Sequence, residues 1–202
     1  MIRGLYAITP DTDNSEQLIE QVSAALDGGA RILQYRNKGS DAVRRLWQAN
    51  ILKSLAQSRG ALFIVNDDVA LAEAIRADGV HLGRDDDAIA AARARLGDGA
   101  IIGASCYNSL DLARSAVAAG ASYVAFGAVF ASGTKPGAVH APLSLFADAA
   151  SLGVPRVAIG GISPANAGQV VAAGADAIAV IGSLFDGDGI AERAATLAAL
   201  YS

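Results

Sequence analysis

Eight short apolar runs recur along the 202 residues, at 5–9, 28–36, 60–67, 77–83, 97–105, 119–127, 154–161 and 173–182. Nearly all of them follow a glycine that closes an alanine-rich stretch. A strand with one wet face alternates apolar and polar residues. Runs without that alternation belong to strands buried on both faces, the pattern of a parallel sheet covered by helices. The segments between them, 15–26, 41–58, 69–76, 88–96, 110–119, 143–152, 166–173 and 190–200, read as helices, several with a capping residue before and glycine after. Eight strand–helix units at about 25 residues each suit a compact (β/α)8 barrel. A doubly wound open sheet would have fewer strands and a G-x-G-x-x-G turn after the first of them, and that turn is missing. The expected fold is α/β, a single TIM barrel over residues 1–202, with no composition shift to mark a second domain.

Composition narrows the partners. With 52% hydrophobic and 18% charged residues, intrinsic disorder is excluded. Sixteen basic against twenty acidic residues give a net charge of −4, which disfavours non-specific binding to nucleic acid or anionic membranes. No uninterrupted apolar run reaches the length of a membrane span. Cys106 is the sole cysteine, so an intramolecular disulfide and a cysteine-rich zinc site are both excluded. The start, Met1-Ile2-Arg3-Gly4, has no basic-then-apolar leader. The expectation is a cytoplasmic protein with small-molecule partners, homo-oligomerisation being left open.

In such a barrel the site lies at the carboxyl ends of the strands. Arg36, Lys38 and Lys135 stand there, three cations suited to a polyanion such as a diphosphate. Asp67 and Asp86 end adjacent strands. They read either as carboxylates for Mg²⁺, which is held by few carboxylates plus water and phosphate, or as helix N-caps. Asp68, Asp85 and Asp87 read as caps. Gly160-Gly161 and Gly182-Ser183 follow the last two strands, where bare backbone N–H groups can approach a phosphate. Phe130 to Gly137 is a glycine-rich loop long enough to close over a ligand. Ser105 has no histidine beside it in sequence, so a Ser–His–Asp triad is unsupported. His81, Cys106, Trp47, Tyr107 and Tyr123 read as packing, and His140 as surface. These residues alone imply a phosphate-binding barrel enzyme using Mg²⁺, without naming a reaction.

The segments YAIT (6–9), QYRNK (34–38), IVNDDVALA (64–72), ADGVHLGRDD (77–86), IIGAS (101–105), YVAFGAVFASGTKPG (123–137), VAIGGI (157–162) and AVIGSLF (179–185) together resemble the thiamine phosphate synthase family. The resemblance spans nearly the whole chain. It implies a transferase that condenses hydroxymethylpyrimidine diphosphate with thiazole phosphate, releasing diphosphate and forming thiamine phosphate. By the same resemblance Gln34, Tyr35, Arg36, Asn37, Lys38, Asn66, Ser105 and Lys135 would hold the pyrimidine and its diphosphate. Of these, Arg36, Ser105 and Lys135 would be catalytic. Ser132, Gly133, Thr134, Gly161, Ile181 and Gly182 would hold the thiazole phosphate, and Asp67 and Asp86 one Mg²⁺ per subunit. Asn37, Ser132 and Gly182 depart from the usual glutamate, threonine and serine. The sister family of thiazole tautomerases carries a histidine in a Gly-His-Val-Phe run. Here the run is Gly127-Ala128-Val129-Phe130, which disfavours that reading. A non-catalytic binding barrel would be expected to lose Asp67 and Asp86. A sugar-phosphate isomerase would use them as an acid–base pair.

Overall fold

The computed structural model describes residues 1–83, 85–131 and 140–202, with Asp86 described in its backbone only. Strands β1 (Gly4–Ile8), β2 (Ile32–Tyr35), β3 (Leu62–Asn66), β4 (Gly79–Leu82), β5 (Ile101–Tyr107), β6 (Tyr123–Phe126), β7 (Arg156–Ile159) and β8 (Ala177–Val180) form a closed barrel in chain order. Every pairing is parallel, including the closing pair in which Gly4 to Ala7 of β1 meet Ala177 to Val180 of β8.

The period of two along each strand separates two cores. Tyr6, Ile8, Ile32, Ile64, Tyr123, Ala125, Val157, Ala177 and Ala179 fill the barrel interior. Their alternates, among them Leu5, Ala7, Leu33, Phe63, Val65, Val80, Ile102, Val124, Ala158 and Ile178, form the layer between strands and helices. Both faces are dry, which is why the strands read as unbroken apolar runs.

The helices are α1 (Ser15–Asp27), α2 (Ala42–Ser58), α3 (Val69–Ala74), α4 (Asp86–Leu96), α5 (Leu110–Ala118), α6 (Ser144–Asp148), α7 (Ala167–Ala172), α8 (Gly182–Phe185) and α9 (Ile190–Ala198). The first five begin where the site lies, and each is held by a side-chain cap. Asn14 accepts from Gln17 N–H, Asp41 from Arg44, Asp68 from Leu71, Asp85 from Asp87 and Ala88, and Ser109 from Leu112. Such a cap contributes about 1 kcal/mol. The caps of α3 and α4 are therefore Asp68 and Asp85, not Asp67 or Asp86, and Asp87 is no cap. The helices expected at 143–152 and 190–200 each tighten to a 3₁₀ turn at the end, over Ala149–Leu152 and Ala199–Tyr201. The four-residue α8 was not foreseen, because it is too short to show a helical period.

Two residues expected to pack do not. Trp47 is 49% exposed, since α2 turns Gln48, Ala49, Leu52 and Ala56 toward the barrel and position 47 away. Tyr107 is 47% exposed, because an irregularity between Ser105 and Tyr107 ends the alternation of β5 and Tyr107 takes φ of +51°. Cys106 is buried, as expected.

His81, Gly103 and Tyr123 are register neighbours on β4, β5 and β6. The glycine lets the rings of His81 and Tyr123 stack across it, their centroids 5.6 Å apart. A Cβ at position 103 would lie 2.1 Å from Tyr123 Cζ. Gly103→Ala is expected to destabilise the fold by about 1–3 kcal/mol, the usual range for overpacking. A denaturant midpoint equal to that of the parent chain would contradict the packing described.

Candidate active site

The carboxyl end of β2 is shaped by the segment after β1. Thr9, fully buried, accepts a hydrogen bond at Oγ1 from Arg36 N–H (2.8 Å) and donates one to Arg36 C=O (3.0 Å). Asp11 accepts at Oδ1 from Lys38 N–H (2.9 Å), and its other oxygen pairs with the Arg36 guanidinium. Nothing in the sequence singled out Asp11. Its role becomes visible only when the β1 and β2 ends are side by side.

Alternation sends neighbours in this segment to opposite places. Gln34 faces the interior, where Nε2 donates to Tyr6 Oη at 2.8 Å. Tyr35, expected among the diphosphate-binding residues, faces the outer layer. Its hydroxyl donates to Gln48 Oε1 at 2.7 Å, and burial pushes it up to about 12. Its side chain is thus not brought to the site. The Asn37 amide is also engaged, donating to Gln48 Oε1 (2.9 Å) and accepting from Gly39 N–H (2.7 Å).

Lys38, Asn37, Arg45, Asn66, Asp67 and Asp68 line a cleft of about 510 Å³ at the ends of β2 and β3. The two adjacent aspartates differ in employment. Asp68 caps α3 with one oxygen and pairs with Arg45 through the other. Asp67 takes φ of +61°, is bonded through Oδ2 to Asn66 Nδ2 (2.7 Å), and has no cation paired with it among the described residues. Arg45, on α2 and part-buried, is a cleft residue that the sequence did not suggest, since nothing in helical spacing marks one arginine over its neighbour.

Among the described residues, no group of three or more His, Cys, Asp or Glu converges as a protein-only metal cage. A carboxylate committed to neither a cap nor an arginine, beside a polar cleft, still fits a hard cation that completes its shell with water and phosphate. The side chain of the other expected ligand, Asp86, lies outside the description. So do Ser132, Gly133, Thr134 and Lys135.

Inside the barrel, four hydrogen bonds join five side chains. Gln34 bonds Tyr6, Tyr6 Oη bonds Tyr123 Oη (2.8 Å), Tyr123 Oη bonds His81 Nδ1 (2.9 Å), and His81 Nε2 bonds Ser105 Oγ (2.9 Å). Burial raises both phenols well above their ordinary range and lowers His81 to about 4, so the imidazole is neutral near pH 7. Ser105 therefore does have a histidine beside it, contrary to the reading from sequence. The register of β4 against β5 supplies the adjacency that chain order concealed. No triad results, because the far nitrogen of His81 meets a phenol rather than a carboxylate.

At the ends of β7 and β8, Gly160 and Gly161 have φ of +99° and +66°. A Cβ on Gly161 would lie 2.6 Å from Phe130 C=O and 2.7 Å from that of Ala131. These glycines thus let the chain after β6 lie against β7, besides leaving backbone bare. Gly182 opens α8 directly after Ile181, and Ser183 Oγ bonds Ile162 C=O.

Polar groups gathered at the carboxyl end of a closed parallel barrel define an enzyme of the (β/α)8 class. A model described as thiamine monophosphate synthase matches residues 5–184. The chain is 65% identical over 200 residues to the thiamine-phosphate synthase of Chromobacterium violaceum, covering 99% of this chain and 97% of that one. It is 54% identical over 202 residues to that of Thioalkalivibrio sulfidiphilus, covering 99% and 96%. Among solved structures, a thiamine phosphate pyrophosphorylase from Pyrococcus furiosus superposes with a TM-score of 0.86 at 34% identity, covering 98% of this chain and 95% of that one. The chain belongs to the thiamine monophosphate synthase family, and it is a transferase of thiamine biosynthesis. No helix among the described residues is long and apolar enough to cross a membrane.

The contrast between the two aspartates is testable by substitution. Asp68→Ala should cost about 1 kcal/mol or more in a denaturant titration, through loss of the cap and of the partner to Arg45. Asp67→Asn, which keeps the tolerance for positive φ, should stay within about 0.5 kcal/mol of the parent. Equal losses would mean that Asp67 also carries structural weight.

Proposed function

We propose that this chain joins hydroxymethylpyrimidine diphosphate to thiazole phosphate, releasing diphosphate and forming thiamine phosphate. The observation that carries the reading is at the ends of β2 and β3, where Thr9 and Asp11 fix the backbone of Arg36 and Lys38, and Lys38 shares a cleft with Asp67, a carboxylate bonded to Asn66 but to no cation among the described residues. Family membership supplies the reaction class, and these residues supply what it requires.

In this reading Arg36, Lys38 and Lys135 hold the diphosphate and offset the charge that grows on its bridging oxygen as the C–O bond to the pyrimidine methylene breaks. Asp67 and Asp86 hold one Mg²⁺ per subunit, which adds charge neutralisation when bound. Gln34 and Asn66 orient the pyrimidine ring, and Ser105 donates a hydrogen bond to the diphosphate. Ser132, Gly133 and Thr134, with the backbone at Gly161, Ile181 and Gly182, hold the thiazole phosphate. The ring nitrogen of the thiazole then stands in line with the methylene carbon and attacks it. A ring nitrogen with a free lone pair needs no base. His81, with both ring nitrogens engaged by a phenol and a serine, accords with a site that supplies none.

The direct test is release of diphosphate from purified protein given both substrates and Mg²⁺, each omitted in turn. Diphosphate and thiamine phosphate should form together, and only in the complete mixture. Binding of thiazole phosphate without turnover would overturn the proposal. Lys135→Ala should then lower kcat/KM by about 10²-fold, the order seen on removing one charge-stabilising donor. An unchanged kcat/KM would remove Lys135 from the diphosphate site.

A further inference from the structure

The five-membered file through the barrel can be read one proton at a time. Its members come from β2, β1, β6, β4 and β5 in spatial order, and the interior around them is apolar. A phenol carries one hydrogen, a neutral imidazole one N–H, and a primary amide donates only from nitrogen. Gln34 Nε2 donates to Tyr6, so the Tyr6 hydrogen goes to Tyr123 and the Tyr123 hydrogen goes to His81 Nδ1. The imidazole N–H is then on Nε2 and points at Ser105 Oγ. Ser105 accepts there, and its own hydrogen is left for the barrel mouth, toward which this partly exposed residue opens.

Reversing the last three bonds alone would strand the Tyr6 hydrogen in the apolar interior, a buried donor without an acceptor. Only one other arrangement satisfies every group. The Gln34 amide turns over, its oxygen accepts from Tyr6, every bond in the file reverses, and Ser105 donates inward to His81. The orientation of one amide and the direction of one hydroxyl, on different strands, are therefore the same variable.

We propose that this file couples recognition of a ligand N–H at Gln34 to hydrogen-bond donation by Ser105, with Tyr6, Tyr123 and His81 as positioning residues. The proposal rests on the reading above in which Gln34 and Ser105 both meet the pyrimidine diphosphate. An aminopyrimidine offers an N–H, which requires the Gln34 oxygen to face the ligand and the nitrogen to face Tyr6. That choice leaves Ser105 with a hydrogen for the anionic diphosphate. A pyrimidine bearing a carbonyl in place of the amine would call for the opposite amide face, and Ser105 would lose its donor role.

The test is the ¹⁵N spectrum of the full chain labelled at histidine. It contains two histidines, and His140→Gln assigns the exposed one. His81 should be the Nε2–H tautomer at pH 7, in the protein alone and with the aminopyrimidine diphosphate added. An Nδ1–H tautomer, or a mixture, would overturn the proposal. Tyr123→Phe removes the acceptor and donor at the middle of the file. It should convert His81 to a tautomer mixture and lower kcat about ten-fold, with KM for the aminopyrimidine diphosphate held within about two-fold. A lower kcat with the tautomer unmoved would mark a merely structural role and also overturn the proposal. If Tyr123→Phe does not fold, Tyr6→Phe and the parent spectrum decide. Absence of turnover in the parent chain would defeat the reaction assignment, whereas the tautomer of His81 in the protein alone tests the file by itself.

Discussion

Closure of the sheet between β1 and β8 is the constraint on which the rest depends. A parallel sheet with free edges can leave strand ends unpaired, but here every strand is bonded on both sides. Closure makes the inward positions mutual neighbours across a narrow space, so a residue on β1 can touch one on β6. Tyr6 and Tyr123 meet in this way although 117 residues separate them. Helices shield the outer face, which lets Tyr35 and Gln48 satisfy each other in the layer between strands and helices.

The same geometry explains what the sequence reveals. Continuous apolar runs report burial on both faces, so all eight strands and their order could be read directly. Cap chemistry was legible for Asp68 and Asp85, which do cap α3 and α4, but not for Asp87, which lies one residue inside α4. A run of acids leaves open which one bends back over the first turn, so Asp67 and Asp86 kept a second reading as caps until the backbone decided it. Contacts between strands were not legible. Ser105 and His81 lie 24 residues apart, and their hydrogen bond depends on the register of β4 against β5. The clamp of Thr9 and Asp11 on Arg36 has the same origin, as does the arrival of Arg45 in the cleft from α2. The direction of Tyr35 could have been taken from alternation, since Gln34 and Arg36 cannot share a face with it.

Division of labour between adjacent residues recurs around the site. Asp68 serves the helix and Asp67 does not. Gln34 faces the interior while Tyr35 faces the shell. In each pair one member builds the scaffold, and its neighbour faces elsewhere. A strand end thus delivers chemical groups at single-residue spacing without weakening the element that carries them.

The pairing of Arg36 with Asp11 has a consequence for discrimination. In the proposed reading, an anion that engages Arg36 does not meet a bare charge; it shares the guanidinium with a carboxylate already bonded to Nη1 or displaces it. A small monoanion offers the guanidinium no more than Asp11 does and gains nothing by the exchange. A diphosphate brings several charged oxygens at once and can satisfy Arg36 and Lys38 together. In that reading the aspartate would act as a resident competitor, favouring a ligand of high charge density over a single carboxylate.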